Sequence, residues 1–586
     1  MSAALTLSTQ AAVAAPKAEV RGELPDDLRE RIENAVGETD DAPDNRFQAR
    51  RRARAAAEDA TAVLRSEGYY ASTVTPDITE ADPALPYIDV QPGPRFLIAD
   101  PAVEWTEPPP EAGAAAAARE AIELEPGEPG RAADVVAAEG RIVAVLTRQG
   151  YADASAGARR VVVDHADNTL TPTYRIASGP LVRLDGVTLR TQGPTNPQWV
   201  AGLAPWREGE VYDPEDVAEL ERRLTETGVY DSVTVALSPP SETNAEGLRP
   251  IVVGLRDQPA RVLEAGVGWS TSEGVGVDAA WTWRNRFGRA DTLRFDLRLA
   301  EIDSRIGATL SLPHWRRPGR TLKLSAAVVD EETDAYNRRG LLASADLTQR
   351  FGPTSFYSYG AALEAGQYED ITFDSLGNPV PRERTLYIAT LRGSATLDRS
   401  NDPLDPTQGW RASLDLQPTL VGGDTSLAFL RAAGQVSAYL PLDEQGDTVV
   451  AGRIRAGSIA GADGVGDVPS DRRFFAGGGG SIRGYEFQSV GPRLPDGTPQ
   501  GGLSLIETSL EVRRRIGERW GAVAFIDGGT VGESSFAGFD GVQWAVGAGV
   551  RYHLPFGPIR ADIAIPLDKR EGDAAFQLYI SIGQAF

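Results

Sequence analysis

From about residue 259 to residue 586, apolar and polar residues alternate with a period of two. "RVLEAGVGWSTS" sets Leu263, Ala265, Val267 and Trp269 on one face. "GVGVDAAWTWRN" groups Val275, Val277, Ala279, Trp281 and Trp283 against Asp278, Thr282 and Arg284. In "TLRFDLRLA", Leu293, Phe295, Leu297 and Leu299 oppose Arg294, Asp296 and Arg298. "AAFQLYISIGQAF" repeats the scheme with Phe576, Leu578, Ile580 and Ile582, and reaches Phe586. A period of two is the signature of a β-strand with two unlike faces. No helical segment interrupts it. Two architectures fit: a soluble sandwich, apolar inward, or a membrane barrel, apolar outward. The length, the aromatic residues near strand ends and turns that are short on one side and long on the other ("NRFGRAD" against "YEDITFDSLGNPVPRER") favour the barrel. At roughly 20 residues per strand and turn, the region holds about 16 antiparallel strands.

Upstream, the period changes to 3.6. Three times a helix-period segment runs into a glycine turn and a short strand, at Gly68, Gly150 and Gly228, roughly every 80 residues. Each glycine stands where a helix C-terminus needs positive φ. In the second unit Val135, Ala138, Ile142 and Leu146 share a face; in the third, Val217, Leu220 and Leu224 do. The predicted organisation is three β-α-α-β-β modules, at 17–93, 94–178 and 179–258, before a barrel at 259–586 with an inward loop at 458–502. Residues 1–16 read as a signal-peptide remnant or a disordered tail, "AVA" at 12–14 resembling a cleavage site.

Composition narrows the chemistry. The formal charge of −24 disfavours nucleic acid as a partner. Cysteine is absent, and the three histidines, His165, His314 and His553, show no ligand spacing, so no metal site and no cofactor is expected. No G-x-S-x-G motif is present, which speaks against a lipid hydrolase, and no enzymatic activity is expected.

The stretch "RRFFAGGGGSIRGYEFQSVGP", 472–492, invites a phosphate-loop reading, yet it has no lysine and no following helix. Its Phe474, Phe475, Ile482, Tyr485 and Phe487 suit packing rather than a free loop. Two downstream strands offer a partner. "GGLSLIETSLEVRRRI" puts Glu507, Glu511 and Arg513 on one face and Ile506, Leu510 and Val512 on the other. "AVAFIDGGTV" groups Val523, Phe525, Asp527 and Gly529. With the apolar faces toward lipid, Glu511 and Asp527 point into the lumen, where unpaired carboxylates are costly. Arg483, carried in by the loop, is the expected bridge, since a guanidinium makes bidentate bonds.

These residues carry a resemblance. "SIRGYEF" resembles the loop-six [VI]-R-G-[FY] signature of the Omp85 superfamily of outer-membrane insertases and translocases, here Ile482, Arg483, Gly484 and Tyr485. "FIDGG" is similar to its barrel-wall F-x-D-x-G pattern, and "TLDRSNDPLDPTQGWRASL" to its P-x-x-G-W turn. The repeats resemble POTRA modules, and three of them before a 16-stranded barrel look TamA-like. The resemblance implies a Gram-negative outer-membrane protein with periplasmic POTRA modules, inserting or secreting β-rich clients such as autotransporters. It implies contact with outer-membrane lipid and a TamB-like inner-membrane-anchored partner. It also implies a lateral seam between the first and last strands, built from Ala265, Val267, Trp269, Leu578, Ile580, Ile582 and Phe586, with Phe586 on the lipid-facing register. A BamA-like general insertase and a two-partner secretion transporter are alternatives within the superfamily. A passive porin or adhesin barrel is the alternative outside it.

Overall fold

The computed structural model describes residues 15–586 apart from 40, 271–273, 301–302, 334–335, 374–378, 537, 540 and 555–556. Most of the expected signal remnant lies outside the described residues. The chain divides into two compact units, one of residues 1–188, 204–220 and 235–252, the other of 189–203, 221–234 and 253–586.

The first unit begins with helices Asp26–Val36 and Arg46–Ser66 packed on a sheet whose central strand, Pro86–Gln91, lies between Glu19–Arg21 and Thr73–Ile78. Asn45 caps the longer helix by accepting from the Gln48 N–H. Helical side chains three or four apart (Leu28 and Ile32; Ala57, Ala60 and Leu64) are buried against Ile88 and Val90. The next module repeats the plan: helices Ala112–Glu120 and Ala132–Arg148 cover the central strand Thr169–Ala177, and Val135, Ala138, Ile142 and Leu146 pack on Leu170 and Tyr174. A third sheet, in the order Arg183–Thr191, Leu248–Asp257, Tyr230–Leu237, follows with helix Pro214–Thr225. Gly68, Gly150 and Gly228 all adopt positive φ at the helix ends, which is the physical content of the 80-residue signature.

The second unit is dominated by a 16-stranded antiparallel sheet in sequential order. Its strands are β1 Arg261–Ser270, β2 Gly274–Arg284, β3 Thr292–Ala300, β4 Asp303–Leu312, β5 Arg320–Glu332, β6 Asn337–Arg350, β7 Phe356–Phe373 and β8 Pro379–Asp398. They continue with β9 Gly409–Gly423, β10 Leu427–Pro441, β11 Thr448–Ala460, β12 Ser504–Ile516, β13 Trp520–Gly532, β14 Gln543–Tyr552, β15 Ile559–Pro566 and β16 Gln577–Ile582. The alternation splits as a membrane barrel requires. Leu263, Val267, Leu341, Leu391, Leu510, Val512 and Ile580 are exposed on the outer face. Glu507, Ser509, Glu511, Arg513 and Asp527 are buried on the inner one. No helix among the described residues is long and apolar enough to cross a membrane.

One sequence expectation is corrected. "YEDITFDSLGNPVPRER" is not a long loop: its flanks extend β7 and β8 as one tall hairpin, paired from Phe356–Thr396 out to Phe373–Pro379. Polar side chains there satisfy a two-residue period as well as a loop does, so the pattern alone could not separate them.

The loop-six site and the seam

The connection from β11 to β12 runs back through the lumen and forms its own core there. Phe474, Ala476, Ile482, Tyr485 and Val490 pack with Ile459, Leu505, Val531 and Ala545 of the wall. Glycines make the close approach possible. Gly484 has φ +102°, and a Cβ there would stand 2.8 Å from the Ala545 methyl and 3.1 Å from the Ile565 carbonyl carbon. Gly529 leaves the space that the Ile482 side chain fills: an added Cβ would meet Ile482 Cδ1 at 2.8 Å.

Arg483 is 1% exposed. Its Nε donates to Asp527 Oδ2 at 2.7 Å and its Nη2 to Asp527 Oδ1 at 2.9 Å, a two-point fork, while its backbone N–H reaches the same carboxylate at 3.1 Å. Nη1 lies 2.6 Å from Glu511 as an ion pair, without hydrogen-bond alignment. The guanidinium carbon stands 3.4 Å from the centre of the Phe525 ring, adding a cation–π contact.

The sequence reading missed part of this set. Asp562 of β15 is a third carboxylate, 3.3 Å from Arg483 Nη1 and paired also with Arg551. Its signal was in "IRADIAIP", where Asp562 shares a face with Arg560 against Ile559, Ala561, Ile563 and Ile565. Arg453 of β11 donates to the carbonyls of Gly480 and Ser481, so the glycine run also presents its backbone to the wall. Tyr579 of β16 is the link to the last strand: its hydroxyl donates to the Tyr485 carbonyl at 2.9 Å and accepts the Gly484 N–H at 3.2 Å. Tyr485 itself donates to the Trp544 carbonyl at 2.9 Å.

Among the described residues, no strand ladder joins β1 to β16, whereas every other neighbouring pair is laddered. Only six residues of β16 pair with β15. Ala265, Val267, Leu578 and Ile580 are exposed on these two end strands. Trp269 and Ile582 belong to the strands by backbone, and their side chains lie outside the described residues. Phe586 is not on the lipid-facing register. The strand ends at Ile582, Gly583 turns at φ +86°, and Gln584 bonds Arg551 and Asp405. The Phe586 ring then lies 5.3 Å from both Arg453 and Arg513, beside Tyr439, Val449 and Ala451. Two guanidiniums attract the ring face more strongly than a place beyond the strand end would.

The Omp85 superfamily domain matches residues 285–586. The chain belongs to the Omp85 superfamily. The BamA outer-membrane protein assembly factor of Nitratidesulfovibrio vulgaris is 25% identical over 446 residues, covering 75% of this chain and 55% of that protein. Outer envelope protein 80 of the Arabidopsis thaliana chloroplast is 24% identical, covering 64% of this chain and 52% of the other. The structure of Haemophilus ducreyi BamA lacking POTRA domains 1–3 overlays with a TM-score of 0.69 at 18% identity, over 82% of this chain and 99% of that one. The chain spans about half the length of the curated relatives it matches. Its fold is that of POTRA modules followed by an Omp85 barrel, and the barrel is an outer-membrane one with the modules on the periplasmic side.

Proposed function

We propose that this Omp85 protein inserts or secretes β-rich clients through a lateral seam between β1 and β16, receiving them from its POTRA modules and performing no covalent chemistry. One observation carries the reading: the two end strands lack a ladder among the described residues, while the loop-six tip holds β16 through Tyr579. Unpaired backbone at a sheet edge is a template for an incoming strand. A client hairpin pairing with that edge exchanges for it strand by strand and leaves into lipid. The loop packed in the lumen argues against a passive porin, whose function needs an open lumen.

Within this reading, the assembly-factor relatives favour a general insertase of BamA type. The three modules favour a TamA-like role in autotransporter assembly, with a TamB-like partner docked on the POTRA modules. Vesicles carrying the full chain separate insertase from porin. An unfolded β-barrel client should fold into them faster than into protein-free vesicles; equal rates overturn the proposal.

A further inference from the structure

The stem of the lumenal loop is held as firmly as its tip, by a different part of the wall. Asp370, near the end of β7, accepts from Arg382 Nε at 2.9 Å and Arg384 Nη2 at 2.8 Å, both on β8. It also accepts from two loop residues, the Ser470 hydroxyl at 3.0 Å and Arg473 Nη2 at 3.2 Å. Beside it, Glu364 of β7 takes Arg338 of β6 at 3.0 Å and Arg472 of the loop. Asp471 of the loop pairs with Arg338 at 2.8 Å. From β10, Arg431 donates to the Arg472 carbonyl at 3.2 Å and stacks over Phe474 at 4.3 Å. Ser470, Arg473, Glu364, Asp370 and Arg384 are all buried.

We infer that loop six carries a second latch, Ser470–Arg473 on Glu364, Asp370 and Arg338, independent of Arg483. The two latches make the loop a strut across the lumen. Its tip is bonded to β12, β13, β15 and β16, the half of the wall that ends at the seam, and its stem to β6, β7 and, through Arg382 on the Gly466 carbonyl, β8. Asp471, Arg472 and Arg473 are positioning residues: they fix where the tip can stand, so a seam opening that moves β16 must either drag the strut or release one end of it. Buried ion pairs specify a position more than they add net stability, because desolvation offsets most of the Coulomb gain. Two such clusters at separate sites therefore fix the loop at two points.

This latch has its purpose in the client role proposed above, and its test is independent of clients. The chain has no cysteine, so single spin labels are placed without background changes. Gly466 near the stem and Gly480 in the tip both have open space where a Cβ would project. In the full chain in lipid nanodiscs, Gly466→Cys reports the stem and Gly480→Cys the tip. Replacing Asp471, Arg472 and Arg473 by alanine removes loop charges, and with Arg473 its bonds to the Val468 and Gln500 carbonyls, but no wall charge. The wall keeps its own pairs, Glu364 with Arg338 and Asp370 with Arg382 and Arg384. The expected result is a label at 466 that loses its immobile component and one at 480 that keeps it; Arg483→Ala should give the reverse. Arg473→Lys, which retains the charge, should restore part of the immobility at 466, and it serves as the reporter of the latch if the triple variant does not fold. Labels that mobilise together in either variant, or a stem label that stays immobile without its charges, overturn the two-latch inference. Normal latches with no client insertion would instead count against the proposed function.

Discussion

Replacing Arg483 with alanine removes the one cation that binds Asp527 by a two-point fork. The magnitude follows from what each carboxylate has left. Glu511 keeps Arg513 at 2.8 Å, and Asp562 keeps Arg551. Asp527, fully buried, keeps among the described residues only the hydrogen bonds from the Ser509 hydroxyl and the backbone N–H of residue 483. One buried charge is therefore stranded, not three. Breaking a buried pair from one side costs about 3–5 kcal/mol, against about 0–1 kcal/mol at a surface. At about 1.4 kcal/mol per tenfold, that shifts the seated-to-released ratio of the loop tip by roughly a hundred- to several-thousand-fold. Arg483→Lys should recover part of it, since an ammonium keeps the charge and loses the planar fork. The assays are limited proteolysis of the 477–491 segment in folded protein and the temperature at which the barrel loses its compact gel mobility. Arg483→Ala with unchanged protection and unchanged heat resistance would refute the reasoning, because a buried carboxylate cannot lose its counter-charge at no cost.

Three further outcomes follow from the same geometry. Gly529→Ala should strain the β12–β13 pairing and unseat Ile482 together, since its methyl would stand 2.5 Å from the Ile506 carbonyl oxygen and 2.8 Å from Ile482 Cδ1, costing about 1–3 kcal/mol as overpacking does; the same proteolysis reads it. Tyr579→Phe removes two hydrogen bonds to the loop backbone at about 0.5–1.5 kcal/mol each, and should mobilise the tip while leaving the ladder between β15 and β16 intact by amide exchange. His314, in the turn between β4 and β5, accepts the Gly319 N–H at Nδ1 and so donates from Nε2 to the Arg223 carbonyl, which is the neutral tautomer. Burial lowers its pKa below the ordinary value of about 6.5. The unfolded chain then binds the proton first as pH falls through about 6.5, so thermal stability should drop on acidification in that window, and His314→Gln should flatten the drop.

Much of this was legible in the sequence because a barrel strand and a module helix leave different periods. The alternation in "TLRFDLRLA" is a physical requirement of one wet and one greasy face, and the shared parity of Glu511 and Asp527 followed from it. Gly68, Gly150 and Gly228 were readable because only a positive φ explains a glycine at each helix end. What the sequence hid were contacts set by three-dimensional closure. Asp562 and Tyr579 lie far from Arg483 along the chain: "IRADIAIP" puts Asp562 on the inner face, but neither strand says that loop six reaches it. Asp370 sits in a segment whose polar pattern reads as loop, and Glu364 in the strand that leads into it. Phe586 fits the lipid-facing register by parity, but the turn at Gly583 and the pull of Arg453 and Arg513 override it.

The seam is tested most directly by closing it covalently. Cysteines introduced at Ala265 on β1 and Leu578 on β16, in a chain with no others, can be crosslinked with a reagent of defined length and released by reduction. The account predicts that the crosslinked barrel stays folded and heat-resistant, that client insertion stops, and that reduction restores it. A crosslinked protein that inserts clients at the uncrosslinked rate would contradict lateral opening between these two strands.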